Sequence, residues 1–283
     1  KLTSLGEGGI QSERAVPDEA RNVHHTHLGM LDPVRTPESF KAGVDIRTAW
    51  MAHRDDKGNL YTPMKNVKTG KSEDLSVWQM GKATIAFPNQ PLTGMVSAMR
   101  GGQVIKVPAS EIDYQLHSAG QMYSPSSNLI PFLESIHGVR ATMGSKMQTQ
   151  ALPLVTREVP WVQAGTRLGN GKIVSFESLL GKMIAPHAPV SGKIAKIDHQ
   201  FIYIKPDKVS TKEARWVETD DGEGVKEAAA DALIKIPYST NLPFASKTYL
   251  NHTLVVKEGD RVAEGQMLGD SNFTRQGALA IGK

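Results

Sequence analysis

The chain contains no cysteine, and only 6% of its 283 residues are aromatic. Lack of cysteine excludes a disulfide framework, a thiolate zinc site and a cysteine nucleophile, and it fits a reducing compartment, with the cytoplasm as the default. No apolar run approaches the roughly 20 residues that cross a bilayer, and no charged-then-apolar leader opens the chain, so no membrane association is expected. A dominant charge sign is missing too. Residues 1–150 carry 16 basic and 14 acidic side chains, residues 151–283 carry 17 and 15, and the formal net charge is +4. A polyanion would therefore have to be met by local clusters, because the field of the whole chain is too weak. Catalytic signatures are absent as well. The glycine-rich LGEGGI lacks a P-loop ending, no serine sits in a nucleophile elbow, and no Asp-x-Asp-x-Asp cluster could hold the magnesium ions of nucleotidyl transfer. Catalysis cannot be complete in this chain.

Against these absences stand 26 glycines and 16 prolines. They favour a loop-rich α+β body, mainly β. The length suffices for one large or two smaller domains. The first residue is Lys1 and not Met, so a processed product, an excised piece or an incomplete gene is expected. Residues 1–50 are irregular, punctuated by LGEGG, AVPDEA and LDPVRTPES. Residues 51–127 read as a small mixed α/β region, with a turn at Asp56-Lys57-Gly58-Asn59, strands and a short helical piece within WQMGKATIAF and QVIKVPASEIDYQL, and a possible helical turn starting at Pro108. Residues 128–154 contain a short helix. Residues 155–283 are strand-dominated, with alternating GKIAKIDHQFIYIKP and TLVVKEGDRVAEGQMLGD, so an incomplete β-barrel-like scaffold is expected.

Within NLIPFLESIHGVRATMGSKMQTQ, helical spacing aligns Arg140, Met143, Met147 and Gln150 on one stripe. A core helix would fill that stripe with Leu and Ile. A guanidinium and a carboxamide in line with two thioethers suit a face turned to a polyanion or nucleotide; the alternative is a buried helix, capped near His137 or Gly138, whose arginine is paired internally. His24, His25 and His27 suggest a metal cluster, but in a strand His25 and His27 would share a face with no acidic or thiol ligand to complete the set, so no metal site is expected. Lys193, Lys196, Lys205, Lys208, Lys212 and Arg215, followed by Glu218, Asp220, Asp221, Glu223 and Glu227, read as a solvated hairpin and loop.

Three ordered motifs, LTSLGEGGIQSERA, RNVHHTHLGMLDPVRTPES and NLIPFLESIHGVRATMGSKMQTQALPL, resemble the central part of the second-largest (β) subunit of multisubunit DNA-dependent RNA polymerases. The tail VVKEGDRVAEGQMLGDSNFTRQGALAIGK resembles the stretch leading toward that family's active-site barrel. The resemblance implies that the chain lines the RNA:DNA hybrid and contacts the incoming nucleoside triphosphate during elongation, without being catalytically autonomous. Gly8, Gly9, Ile10, Gln11, Ser12, Glu13 and Arg14 would form a flexible fork loop, with Gly9, Gln11, Ser12 and Arg14 contacting nucleic acid. Lys1, Leu2, Thr3 and Leu5 would match rifamycin-pocket positions. Glu38 of Thr36-Pro37-Glu38 would lie near the substrate, and Arg140 would approach its phosphates, since a guanidinium can contact phosphate bidentately. Met143, Lys146, Gln148 and Gln150 would lie along the hybrid.

The same resemblance puts the metal-binding carboxylates, and hence Mg2+, on the largest, β′-like subunit. The remaining parts of the β subunit, the DNA template, the nascent RNA and the nucleoside triphosphates complete the implied partners. The chain departs from the family at several points. Arg35 replaces a Glu before TPE, Ser39, Phe40 and Lys41 replace a GPN, His137-Gly138-Val139 replaces Asp-Ala-Asn, and Lys146 replaces an Asn. These departures suggest a divergent polymerase, such as one encoded by a bacteriophage, acting in host cytoplasm or a virion. A different class, a non-catalytic biotinyl or lipoyl-like β module, is suggested by KEGDRVAEGQ, although no carrier lysine of the Met-Lys-Met type is present.

Overall fold

The computed structural model describes residues 1–167, 172–207, 233–243 and 248–282. They form two compact units. One comprises Lys1–Gln150 with Val162–Phe176, the other Ala151–Trp161 with Glu177–Lys283. Everything up to Gln150 lies in the first unit. The α+β, mainly β class holds for both.

The first unit begins with three short strands, β1 (Leu2–Thr3), β2 (Leu31–Asp32) and β3 (Asp45–Thr48), in the antiparallel order β1-β3-β2. Residues between β1 and β2 contain 3-10 turns at Glu13–Ala15, Asp18–Arg21 and His25–His27 and no longer element. A second sheet runs His53–Arg54, Leu60–Asn66, Tyr114–Gln115, Ile85–Ala86, Met95–Arg100 and Gln103–Pro108, with Ser72–Ser76 added beside Leu60–Asn66. Its alternation follows the period-two rule: Val96 and Ala98 are buried while Met95 is exposed. The expected turn before Leu60 is present, with Gly58 at positive φ and the Asp55 carboxylate accepting from the Asn59 backbone N–H at 2.7 Å.

All of WQMGK lies in helix α1 (Val77–Lys82), which Ser76 and Gln79 start with a reciprocal capping box. The helical turn expected at Pro108 is a 3-10 turn over Ala109–Glu111. Met30, Met64, Leu75, Met80, Ile85 and Leu116 fill one core, and Val96, Ala98, Val107 and Ile112 a second. Helices α2 (Pro125–Asn128) and α3 (Gly138–Gln150) complete the part of this unit that concerns function.

In the second unit, helix α4 runs from Phe176 to Ile184, its first residue belonging to the first unit. The alternating segment forms the expected hairpin, Gly192–Ile197 against Phe201–Pro206, with a bulge between Ile194 and Lys196. Its turn is held by Asp198, which accepts from the backbone N–H groups of Gln200 and Phe201 and from the Tyr203 hydroxyl. Ile234–Pro237 and Arg261–Val262 flank the hairpin in a four-stranded antiparallel sheet over a core that includes Ile194, Ile202, Ile204 and Leu268. Among the described residues this sheet is open at both edges, and small two-stranded ribbons accompany it. Lys208, Lys212, Arg215 and the acidic run from Glu218 to Glu227 lie outside the described residues.

Candidate nucleic-acid interface

The site elements are built by a small number of polar hubs. Asp32 is fully buried at the end of β2. Its Oδ1 accepts from the backbone N–H groups of Val34 at 2.8 Å and Arg35 at 3.2 Å. Its Oδ2 accepts from the Ser124 N–H at 2.9 Å and the Ser127 hydroxyl at 2.6 Å. One carboxylate therefore ties the turn that carries Arg35 to the start of α2. A buried charge held by four donors satisfies the demand that burial imposes.

Arg21 does the corresponding work for the glycine-rich end. Its guanidinium donates to the carbonyls of Glu13 and Phe40, each at 2.6 Å, of Ala42 at 3.0 Å and of Val16 at 3.3 Å. That arrangement also explains Gly43. It sits at φ 71° against Arg21, where a Cβ would meet the Arg21 carbonyl at 2.6 Å.

The glycine-rich loop is a closed turn. Gly6 donates to the Ile10 carbonyl at 3.2 Å, Gly9 to Gly6 at 3.0 Å and Ile10 to Ser4 at 3.0 Å. Gly6 and Gly8 occupy the left-handed region, which glycine enters without strain. Ser12 caps the 3-10 turn through the Arg14 N–H at 3.4 Å, and the Arg14 guanidinium stands 5.2 Å from the Phe40 ring centroid. Gly9, Gln11, Ser12 and Arg14 are all exposed.

Lys1, Leu2 and Thr3 are exposed along β1 and Leu5 is half-buried; β1 pairs with β3 through Leu2↔Ile46 and Thr3↔Asp45. Lys1 Nζ lies 2.8 Å from the Asp45 carboxylate. Lys1 and neighbouring hydrogen bonds hold that carboxylate below its ordinary pKa against the opposing effect of burial. Thr36 anchors the TPE segment by donating to the Asp45 carbonyl at 3.0 Å and accepting from the Gly43 N–H at 2.8 Å. Glu38, two residues on, is exposed.

The helix expected in residues 128–154 is α3, and its orientation resolves the two readings of the stripe. Its buried face is Ala141 and Ser145, while Arg140, Lys146, Met147, Gln148 and Gln150 are exposed and Met143 is half-buried. Gly144 faces Ile130, where an added Cβ would lie 3.3 Å from Ile130 Cδ1. Polar bonds fix the helix: Thr142 Oγ1 donates to the Val34 carbonyl at 3.2 Å, and Arg35 Nη2 donates to Thr149 Oγ1 at 3.0 Å. No hydrogen bond or ion pair engages the Arg140 side chain among the described residues, so the reading of a buried, internally paired arginine is set aside.

The structure brings Lys1 and Lys146 together with Arg35, Pro37, Asp45 and Arg47 around a cleft of about 170 Å³. Arg35 and Arg47 were not read as site residues from sequence. The available signal was the Arg-x-Pro and Asp-x-Arg spacing on adjacent segments, which means nothing until β3 pairs with β2. His25 and His27 lie in a 3-10 turn, His25–His27, that His24 caps, and not in a strand. His24 Nδ1 and Thr26 Oγ1 are 2.9 Å apart, and His27 Nδ1 accepts from the His24 N–H at 3.3 Å. Burial first, then the charge of His24, pushes the His25 and His27 pKa values down; backbone contacts with Gly81 and Met80 partly oppose this at His25.

The family model described as RNA polymerase Rpb2, domain 3, matches residues 1–53. Along its full length the chain is also similar to curated proteins named DNA-directed RNA polymerase subunit beta. It is 33% identical over 294 residues to that of Syntrophotalea carbinolica, covering 100% of this chain and 20% of the relative. For Thermus thermophilus the identity is 31% over 293 residues, covering 100% and 23%, and for Rubrobacter xylanophilus 33% over 296 residues, covering 100% and 23%. The chain thus spans between a fifth and a quarter of the length of these relatives.

Proposed function

We propose that this chain is a segment of the β subunit of a DNA-directed RNA polymerase, where it lines the RNA:DNA hybrid and presents Arg140 to the phosphates of the incoming nucleoside triphosphate. The similarity to β subunits over 100% of the chain carries the reading. The exposed, internally unpaired Arg140 supports its nucleotide part. A guanidinium without an internal partner can give its donors to phosphate oxygens and neutralise charge that grows on the pyrophosphate leaving group.

The exposed Gly9, Gln11, Ser12 and Arg14 form the fork-loop surface in this reading, and Glu38 reaches the substrate path. Met143, Lys146, Gln148 and Gln150 contact the sugar-phosphate backbone without reading sequence. Among the described residues no three His, Asp or Glu side chains are grouped to hold a metal ion. In this reading Mg2+ belongs to carboxylates of the β′-like subunit, and the residues of this chain act by binding and orientation. The departures at Arg35, Ser39 to Lys41 and His137 to Val139 support a divergent, phage-encoded lineage, which the neighbouring genes would test.

The direct test is Arg140→Ala in the assembled polymerase. Loss of a charge-assisted contact of about 1.5–3 kcal/mol raises the apparent nucleoside triphosphate requirement by about tenfold or more. Unchanged extension rates at low nucleotide concentration would overturn the assignment. Affinity purification of the chain from its source should bring down a polypeptide with an Asp-rich magnesium loop.

A further inference from the structure

Of the residues lining the cleft beside α3, only Lys146 is among the contacts proposed above. Its wall combines three separate segments: Lys1 before β1, Arg35 and Pro37 after β2, and Asp45 with Arg47 on β3, closed by Lys146 from α3. Asp45 and Arg47 share a face of β3 because strand side chains alternate with period two. Four cations thus meet one carboxylate, and that carboxylate is already occupied by Lys1 at 2.8 Å. Lys41 also acts on Asp45.

The remaining cations are poorly compensated. Arg35 gives one Nη2 bond to Thr149, while its Nε is buried without a hydrogen-bond partner. Burial and the nearby Arg47 both act against its charged form, and Asp32 offsets this only partly, its four acceptor contacts being taken by other donors. Among the described residues the Arg47 and Lys146 side chains make no ion pair. Two guanidiniums held beside each other in a half-buried cleft are repulsive unless an anion enters, and a tetrahedral oxyanion offers acceptors to both.

We infer that this cleft, with Arg35, Arg47 and Lys146 as its binding groups, is a phosphate site separate from the one assigned to Arg140. The ligand is a phosphate group, supplied either by a nucleic-acid backbone or by free pyrophosphate. The nucleic-acid source rests on the polymerase reading, whereas the anion site itself does not.

The test is calorimetric titration of the full chain with inorganic pyrophosphate, and separately with a short RNA oligonucleotide, at low salt. Arg47→Gln and Lys146→Gln should each weaken pyrophosphate binding by about tenfold, the loss expected for one charge-assisted contact, with circular dichroism unchanged. Lys57→Gln, exposed on the turn before Leu60 and outside the cleft, should leave it unaltered. If RNA displaces pyrophosphate and its binding falls in the same variants, the backbone is the source; if RNA neither competes nor responds to them, free pyrophosphate is. Absence of pyrophosphate binding by the folded chain, or equal binding by Arg47→Gln and Lys146→Gln, overturns the site. A folded chain that binds pyrophosphate in this way but whose Arg140→Ala polymerase is kinetically normal refutes only the Arg140 assignment.

Discussion

Replacing Asp32 by Asn changes the charge and two hydrogen-bonding roles while leaving the volume of a fully buried side chain almost untouched, so any effect is electrostatic and not a cavity. The carboxylate accepts four bonds, from Val34 N, Arg35 N, Ser124 N and Ser127 Oγ. The amide can keep only one side. With its oxygen toward Val34 and Arg35, its NH2 faces Ser127, whose hydroxyl can turn to accept, and the Ser124 N–H, which cannot. One buried N–H is then orphaned, at about 1–3 kcal/mol, and the surviving bonds lose their charge assistance, for a total of about 2–4 kcal/mol. That is a large share of the stability of an ordinary domain. Urea unfolding of the chain should show a lower midpoint at unchanged m, and amide exchange at Ser124 should accelerate more than at residues of the Met64 and Leu75 core. Ser127→Ala should cost about 1 kcal/mol, and less still in the Asp32→Asn background, because the two changes share one contact. A loss below about 0.5 kcal/mol with the Ser124 amide still protected would refute the idea that this carboxylate ties the Arg35 turn to α2.

Two further outcomes are expected. Arg21→Lys keeps the charge but cannot span the carbonyls of Glu13, Val16, Phe40 and Ala42, so it should cost about 2–4 kcal/mol and open residues 13–43 to limited proteolysis; wild-type stability and cleavage would contradict the clamp. For pH, the folded values of His25, His27 and His117 all lie below the ordinary 6.5, by burial first in each case. The unfolded chain therefore binds protons that the fold resists. Their stabilising contribution is complete above pH 6.5 and falls away as pH drops through 6.5 toward the lowered folded values. The urea midpoint should be lower at about pH 5.5 than at about pH 7.5, with a smaller difference in His25→Gln; a midpoint that rises on acidification would show the sign to be wrong.

Elements with local causes could be read directly from the chain. The Asp55–Asn59 turn, the Gly192–Pro206 hairpin and the helix beginning at Gly138 each depend on residues within a few positions of one another. Long-range polar pairing was invisible by comparison. Asp32 finds Ser124 across 92 residues, and nothing in LDP announces that its carboxylate is the hub. The orientation of α3 was ambiguous because its buried face is made of Ala141 and Ser145, residues too small to stand out in a hydrophobic pattern. Closure of the β part depends on edge pairing, which alternation along one strand does not encode. Of the residues lining the cleft, the resemblance singled out Lys1 and Lys146, whereas their gathering with Arg35 and Arg47 required the β1-β3-β2 pairing.

The small-residue packing of α3 has an evolutionary consequence. Burying Ala141 and Ser145 contributes far less than the roughly 1.5–3 kcal/mol that one buried Leu would supply, and polar bonds at Thr142 and Thr149 join the Ile130 contact at Gly144 in holding the helix. The side chains that reach outward, among them Val139, Arg140, Lys146, Met147, Gln148 and Gln150, take little part in keeping it folded. Substitutions at those positions are filtered by what they touch and hardly at all by foldability. The departures from the polymerase pattern at His137, Val139 and Lys146 all fall on this tolerant side. A lineage can therefore retune the helix one outward residue at a time, without any compensating change in the core.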